Sequence, residues 1–198
     1  MKKGDDNLYG LILTGGKSAR LGKDKYQIEY HAMPQVQYLF DLITSAGLET
    51  FVSCSKVQED NLKSTYPLIV DKLKDIGPMG ALSAAFEVKP NAAWLVVACD
   101  LPFVNQKTIR TLVAARSRDH LMTTYQGVES KFFETTISIY EPAVSAVMKN
   151  AYATEQYSLR RAMDPSKIKI IKSTNTYELF NANTQDAVDF SMAQIKQY

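Results

Sequence analysis

A chain of 198 residues can bury roughly 70% of the surface that its unfolded form exposes. Its 45% hydrophobic and 22% charged residues exclude intrinsic disorder. With 23 Lys and Arg against 21 Asp and Glu, a net charge of +2, it has no basic excess for nucleic acid or an anionic membrane surface.

The elements follow in chain order. Leu8 to Leu13 form a nearly continuous apolar hexamer, the pattern of a strand buried on both faces of a parallel sheet. The run is too short for a signal core or a spanning helix, so a cytoplasmic location is expected. Thr14-Gly15-Gly16 ends it as a turn signal. Val36, Leu39, Phe40 and Ile43 share one helical face within 35–46, and Gly47 stands where a C-cap glycine would. Residues 49–53 predict a short strand. Leu68-Ile69-Val70-Asp71 predicts another, closed by a carboxylate. Gly77-Pro78-Met79-Gly80 reads as a turn, with a helix over 81–88. Trp94 to Asp100 carries the strongest strand signal, again closed by a carboxylate. A helix is expected over 108–118, strands over 121–125 and 135–140, and helices over 142–152 and 158–163. A strand over 167–172 and a closing helix over 184–197 complete the chain. This alternation implies βαβ units, right-handed crossovers and a mostly parallel sheet covered on both faces.

Ligands of open α/β sheets bind outside the carboxyl ends of the strands. Thr14-Gly15-Gly16, Asp71 and Asp100 close three expected strands and should share that rim. Residues 13–25 read Leu-Thr-Gly-Gly-Lys-Ser-Ala-Arg-Leu-Gly-Lys-Asp-Lys, with four cations (Lys17, Arg20, Lys23, Lys25) against Asp24. Glycines let backbone approach a ligand, and successive amide N–H groups make an anion-binding concavity. The pattern suits a polyphosphate; a solvated surface loop is the plainer reading of the composition. A P-loop does not fit, because five residues separate Gly16 from Gly22 and Asp24 follows Lys23. The dinucleotide fingerprint fails because Gly15 and Gly16 are adjacent.

The string Leu13-x-Gly15-Gly16-x-Ser18-x-Arg20-Leu21-Gly22-x-Asp24-Lys25 resembles the signature loop of the molybdenum cofactor guanylyltransferases, the MobA-like nucleotidyltransferases. Leu21 replaces that family's usual methionine, and Thr14 its usual alanine. Four more segments resemble the family in order: Asp71 with Gly77-Pro78-Met79-Gly80, the strand ending Cys99-Asp100-Leu101-Pro102, Ser158-Leu159-Arg160-Arg161, and Phe180-Asn181-Ala182-Asn183-Thr184-Gln185. Gln185 stands where the family has proline. Together the segments span nearly the whole chain.

The resemblance implies a single domain over residues 1–198, an α/β three-layer sandwich with a Rossmann-like nucleotide-binding half. It implies transfer of GMP from GTP to molybdopterin with release of pyrophosphate, the terminal phosphate of the pterin attacking the α-phosphorus. Such a reaction is governed by positioning and charge stabilisation. Arg20, Lys25 and Asp100 are the expected catalytic residues. Asp100 is the expected Mg²⁺ ligand, since Mg²⁺ takes one or two carboxylates with phosphate oxygens and water. The nucleotide is expected on Leu13, Thr14, Gly15, Gly16, Lys25, Ser53, Asp71 and Asp100. Ser53 stands where the family often has asparagine, with shorter reach. Arg160, Asn181 and Asn183 match positions on the pterin-phosphate side; a turn and an N-cap at Thr184 is the plainer reading of 181–184. Transient contact with molybdenum-insertion or acceptor enzymes is implied as well.

Two other readings stand beside it. One is a relative with another base or acceptor, such as a molybdenum cofactor cytidylyltransferase or a sugar or isoprenoid-precursor nucleotidyltransferase. The other is a non-catalytic nucleotide-binding module, which would have no need of Lys25 and Asp100. His31 and His120 have no metal-ligand spacing around them. Cys54 and Cys99, the two cysteines, are expected as small buried hydrophobes in a reducing compartment. The aromatic residues of the C-terminal half are expected in the core.

Overall fold

The computed structural model describes residues 7–15, 24–73 and 76–196. The elements are β1 (Leu8–Leu13), α1 (Gln35–Ser45), β2 (Thr50–Ser55), α2 (Lys56–Leu62), β3 (Leu68–Asp71), α3 (Pro78–Val88) and β4 (Ala93–Ala98), followed by α4 (Gln106–Ala114), β5 (Met122–Gln126), β6 (Phe133–Tyr140), α5 (Val144–Ala153), α6 (Leu159–Ala162), β7 (Ile168–Lys172) and α7 (Gln185–Ile195).

All seven strands form one sheet in the order β3-β2-β1-β4-β6-β5-β7. The apolar runs explain the two-sided burial. All six residues of β4 are buried, and alternate residues face opposite sides of the sheet. Trp94, Val96 and Ala98 join one core, with Leu82 of α3 and Met148 of α5. Ala93, Leu95 and Val97 join the other, with Leu39 and Ile43 of α1 and Ile109 of α4. The result is the expected three-layer α/β sandwich.

Pairing is parallel for β1 with β2 and β4, β2 with β3, and β5 with β7. It is antiparallel for β6 against both β4 and β5. The mostly parallel expectation therefore holds, with β6 as the one reversed strand. Strand order turns back at β1, which lies between β2 and β4. A crevice opens at such a switch point, and the Thr14-Gly15 corner sits at its mouth.

One helix, α2, was not expected from the sequence, and one local expectation is corrected. The helix α2 has no amphipathic signal, because Val57 is 87% exposed while Gln58 is buried. It is started by a capping box, in which the Ser55 backbone N–H donates to Gln58 Oε1 at 3.0 Å. The segment Gly77-Pro78-Met79-Gly80 is not a turn ahead of a helix but the helix start itself. Gly77 caps α3 with φ of +63°, and Pro78 occupies the first turn, where a missing N–H costs nothing. Among the described residues, no helix is long and apolar enough to cross a membrane.

Candidate active site

The corner after β1 is built from backbone. The Thr14 Oγ1 donates to the Ser53 carbonyl at 2.7 Å, and the Thr14 N–H reaches the same oxygen at 3.2 Å. The Leu13 carbonyl accepts from the Cys99 N–H at 3.1 Å. These bonds continue the sheet past the ends of β1, β2 and β4. They leave Ser53 buried and the Thr14 side chain turned to the scaffold. Gly15 lies on the rim, and among the described residues, its chain neighbours aside, no atom comes within 4 Å of where a Cβ would stand. Gly16 and Arg20 lie outside the described residues.

Asp100 lies just past β4 on a turn tethered from one side. Gln35 Nε2 donates to the Leu101 carbonyl at 3.3 Å, His31 Nε2 to Pro102 at 2.9 Å and Tyr38 Oη to Val104 at 3.1 Å. His31 also stacks on Tyr38, with ring centroids 3.7 Å apart. Burial pushes the His31 pKa down, which keeps the ring neutral and its one N–H on Nε2 for that bond. Residues 31–38 thus act as a bracket for the Asp100 turn. Periodicity could not reveal it, because side chains bond here to carbonyls more than 60 residues away.

The Lys25 ammonium donates to Asp100 Oδ2 at 3.2 Å and to Asn183 Oδ1. The Lys25 and Asp100 side chains are only 15% and 16% exposed. Asn183 arrives because the Ala182 N–H donates to the Asp100 carbonyl at 2.8 Å. Ala182 is fully buried against Tyr30 and Val188. Thr184 caps α7 through the Ala187 N–H, so the cap and the Asn183 contact with Lys25 coexist in this segment. Asn181 and Asn183 flank Ala182 on the exposed side.

Asp100 Oδ1 is buried and has no hydrogen-bond partner among the described residues. An unpartnered carboxylate oxygen in such a place is costly unless something binds it. A hard divalent cation that takes oxygen ligands fits it.

Asp71 ends β3, two strands beyond β1, which places it about 14 Å along the rim from Asp100 at ordinary strand spacing. Its Oδ1 accepts from the Leu73 N–H at 2.8 Å. Its carboxylate packs over Gly80, where a Cβ would come within 2.7 Å of Oδ2. Burial pushes the Asp71 pKa up.

Arg160 sits on α6, in a cleft of about 940 Å³ also lined by Pro78, Lys131, Phe132, Tyr157 and Arg161. Its guanidinium lies 5.3 Å from the centre of the Phe132 ring. Phe132 is 61% exposed, so the expectation that the C-terminal aromatics are all core is corrected. Tyr125 and Tyr140 are core, whereas Phe132 and Tyr157 present rings to the cleft. An aromatic beside Lys131 in a polar stretch was the available signal.

The structure thus brings Lys25, Asp100 and Asn183 into contact. Thr14 and Gly15 stand at the neighbouring strand end, and Asp71 and Arg160 lie apart. Among the described residues no group of three or more His, Cys, Asp or Glu is placed to hold a metal ion.

The sequence model of the MobA-like NTP transferase domain matches residues 10–169. The chain is 31% identical over 180 residues to a molybdenum cofactor biosynthesis bifunctional protein of Synechocystis sp.. That match covers 90% of this chain and 52% of the relative, so the chain spans about half of that protein's length. It is 27% identical over 156 residues to a molybdenum cofactor guanylyltransferase of Pseudomonas putida, covering 77% of this chain and 80% of that one. A crystal structure of molybdopterin-guanine dinucleotide biosynthesis protein A from Archaeoglobus fulgidus has a TM-score of 0.79 at 17% identity, covering 96% of this chain and 100% of that one.

Proposed function

The chain belongs to the MobA-like NTP transferase family, and we propose that it transfers GMP from GTP to molybdopterin, releasing pyrophosphate. The observation that carries the reading is the contact of Lys25 with Asp100 and Asn183, set at the sheet's switch point, with Asp100 Oδ1 unpartnered among the described residues.

The triphosphate would lie along the rim from Gly15 to Asp100, with the base toward Asp71. Gly15 offers a corner that no side chain of the described residues blocks. Lys25 is held from two sides before any ligand arrives, so little reorganisation is needed when charge develops on the leaving pyrophosphate. A Mg²⁺ ion on Asp100 would supply further charge neutralisation on the phosphate oxygens. Asn183 keeps the ammonium aimed without adding a charge. In the transfer, an oxygen of the acceptor's phosphate bonds to the α-phosphorus, and the bond from that phosphorus to the β-phosphate oxygen breaks.

The cleft beside Arg160 would seat the acceptor. Its cations, Lys131, Arg160 and Arg161, suit a phosphate, and its exposed rings suit a flat heterocycle.

The test is pyrophosphate release from purified protein given molybdopterin, Mg²⁺ and either GTP or CTP. GTP-dependent release, with the guanylated pterin as product, is expected. A preference for CTP would overturn the base assignment, and nucleotide binding without turnover would make the chain a binding module.

A further inference from the structure

Between the end of β7 and the start of α7, residues 173–184 form neither helix nor strand. A stretch of that length without regular structure is uncommon in a compact domain and tends to serve function. This one carries Asn183, the second acceptor of the Lys25 ammonium, and it is fastened along its length. The Ser173 N–H donates to the carbonyl of Gln126, the last residue of β5, at 2.9 Å. Glu178 takes a hydroxyl on each carboxylate oxygen. Thr108 Oγ1 donates to Oε1 at 2.8 Å, and Ser173 Oγ donates to Oε2 at 2.6 Å. The Phe103 ring, on the turn after Asp100, lies 5.6 Å from that of Tyr177 and 6.0 Å from that of Phe180, centre to centre. The Ala182 N–H then reaches the Asp100 carbonyl.

Glu178 joins this strap to the scaffold of the site itself. Thr108 is fully buried in the first turn of α4, the helix into which the Asp100 turn leads. Its N–H donates to Asn105 Oδ1 at 3.2 Å, and its carbonyl accepts from Tyr125 Oη at 2.9 Å. The Thr108 hydroxyl is thus presented from a fixed point. Ser173 is buried as well. Each hydroxyl has one hydrogen to give, and burial makes it unfavourable unless bonded. One carboxylate satisfies both, through bonds stronger than those between neutral groups. The contacts close a ring that runs from the Asp100 turn through α4, Thr108 and Glu178 to Asn183, and back through Lys25 to Asp100.

We propose that Glu178 is a positioning residue for Lys25: the two hydroxyls it collects fix the strap over 173–184 against the Asp100 turn, which sets Asn183 as the second acceptor of the ammonium. Glu178 acts through Asn183 and not on the reacting atoms. The inference rests on the reading of Lys25 as the cation that meets the leaving pyrophosphate.

Amide hydrogen exchange at Ala182 tests it without substrate, because that N–H is protected while the strap is seated on Asp100. In Glu178→Ala, exchange at Ala182 should quicken about tenfold or more, the size expected from a lost hydrogen bond to a charged group. Amides of β4 should keep their protection, which marks the opening as local. E178Q should recover in part. Its amide oxygen still accepts, and Ser173 Oγ, 3.0 Å from the Asn175 carbonyl, can turn its hydrogen there and accept from the new N–H. Thr108→Val keeps the volume, deletes one hydroxyl and should shift exchange the same way. In pyrophosphate release, E178A should lower kcat by a similar factor with little change in KM for GTP. N183A should lower it as far, with no further loss in the double variant, since residues that act as a unit are not additive. Unchanged exchange at Ala182 in E178A, an equal quickening throughout β4, or a full additional loss of kcat in the N183A background overturns the inference. Absence of pyrophosphate release from the unaltered chain with GTP, Mg²⁺ and molybdopterin would instead strike the proposed function, while exchange at Ala182 still decides whether Glu178 seats the strap.

Discussion

Ala182 donates its backbone N–H to the carbonyl oxygen of Asp100 at 2.8 Å, which fixes the C-terminal segment to the end of β4. This bond decides whether Asn183 meets Lys25. Ala182→Pro deletes the N–H and nothing polar beyond it. Leaving that carbonyl unpaired costs about 1–3 kcal/mol. Activity should fall further, about 100-fold, because catalytic groups displaced by about 1 Å lose that much. Denaturant unfolding and pyrophosphate release, measured side by side, check this. A loss of activity no larger than the loss of folded protein would defeat it.

Asp100→Asn keeps the shape of the turn and its backbone bonds but withdraws the charge from Oδ1. Lys25→Ala leaves that carboxylate without its cation. Each should lower turnover about 100-fold or more, by comparison with the removal of a single oxyanion donor. Asp100→Asn should in addition lose its response to Mg²⁺ concentration, whereas Lys25→Ala should keep a response at the lower rate. A Mg²⁺ titration of both variants distinguishes the roles, and an unaltered metal response in Asp100→Asn would remove Asp100 as ligand.

Stability and activity separate at Arg116. Its Nε and a terminal nitrogen grip Glu141 at 2.6 and 2.8 Å, with side chains 13% and 7% exposed. The pair joins the segment after α4 to the end of β6, away from the Asp100 rim. Breaking one side of a buried pair strands the other charge and costs about 3–5 kcal/mol. Arg116→Ala should therefore lower the unfolding midpoint strongly, with kcat close to that of the unaltered chain at a temperature where both are folded. A kcat defect under those conditions would contradict the assignment.

The strand ends were legible because each apolar run stops at a residue of different chemistry: Gly15, Asp71 or Asp100. The sheet order then places those residues on one rim without further information. Contacts that depend on long-range hydrogen bonding were not legible. Asn181-Ala182-Asn183 could be marked as a motif, but its seat on Asp100 needs the buried Ala182 and Tyr30 beneath it. The bracket of Gln35, His31 and Tyr38 leaves no periodic trace, since each reaches a different carbonyl. The bulge of β6 between Phe133 and Ser138 was hidden for a related reason. Its position is set by the hydroxyls of Thr124 on β5 and Ser138 on β6, which alternate like ordinary strand residues, and only the bulge shows what they hold.

Asp71 offers a prediction in which function and stability oppose each other. Burial raises its pKa in the folded chain above the ordinary 3.8. Between the unfolded and folded values the folded state holds more protons, so stability falls as pH rises through that window. Below the ordinary value both states are protonated and the penalty is absent; above the raised value it is complete. Asp71→Asn removes the ionisation and keeps an oxygen for the Leu73 N–H. The variant should be as stable as the unaltered chain in acid and more stable at neutral pH, while KM for GTP rises. Gly80→Ala approaches the same carboxylate from α3. Alanine is favoured over glycine in a helix by about 1 kcal/mol, but its Cβ would stand 2.7 Å from Asp71 Oδ2 and push the carboxylate aside. It should raise KM for GTP with little change in kcat. Unfolding midpoints of Asp71→Asn across pH, with GTP kinetics of both variants, check the pair. A stability gain that persists unchanged into acid would assign the effect to packing and not to charge.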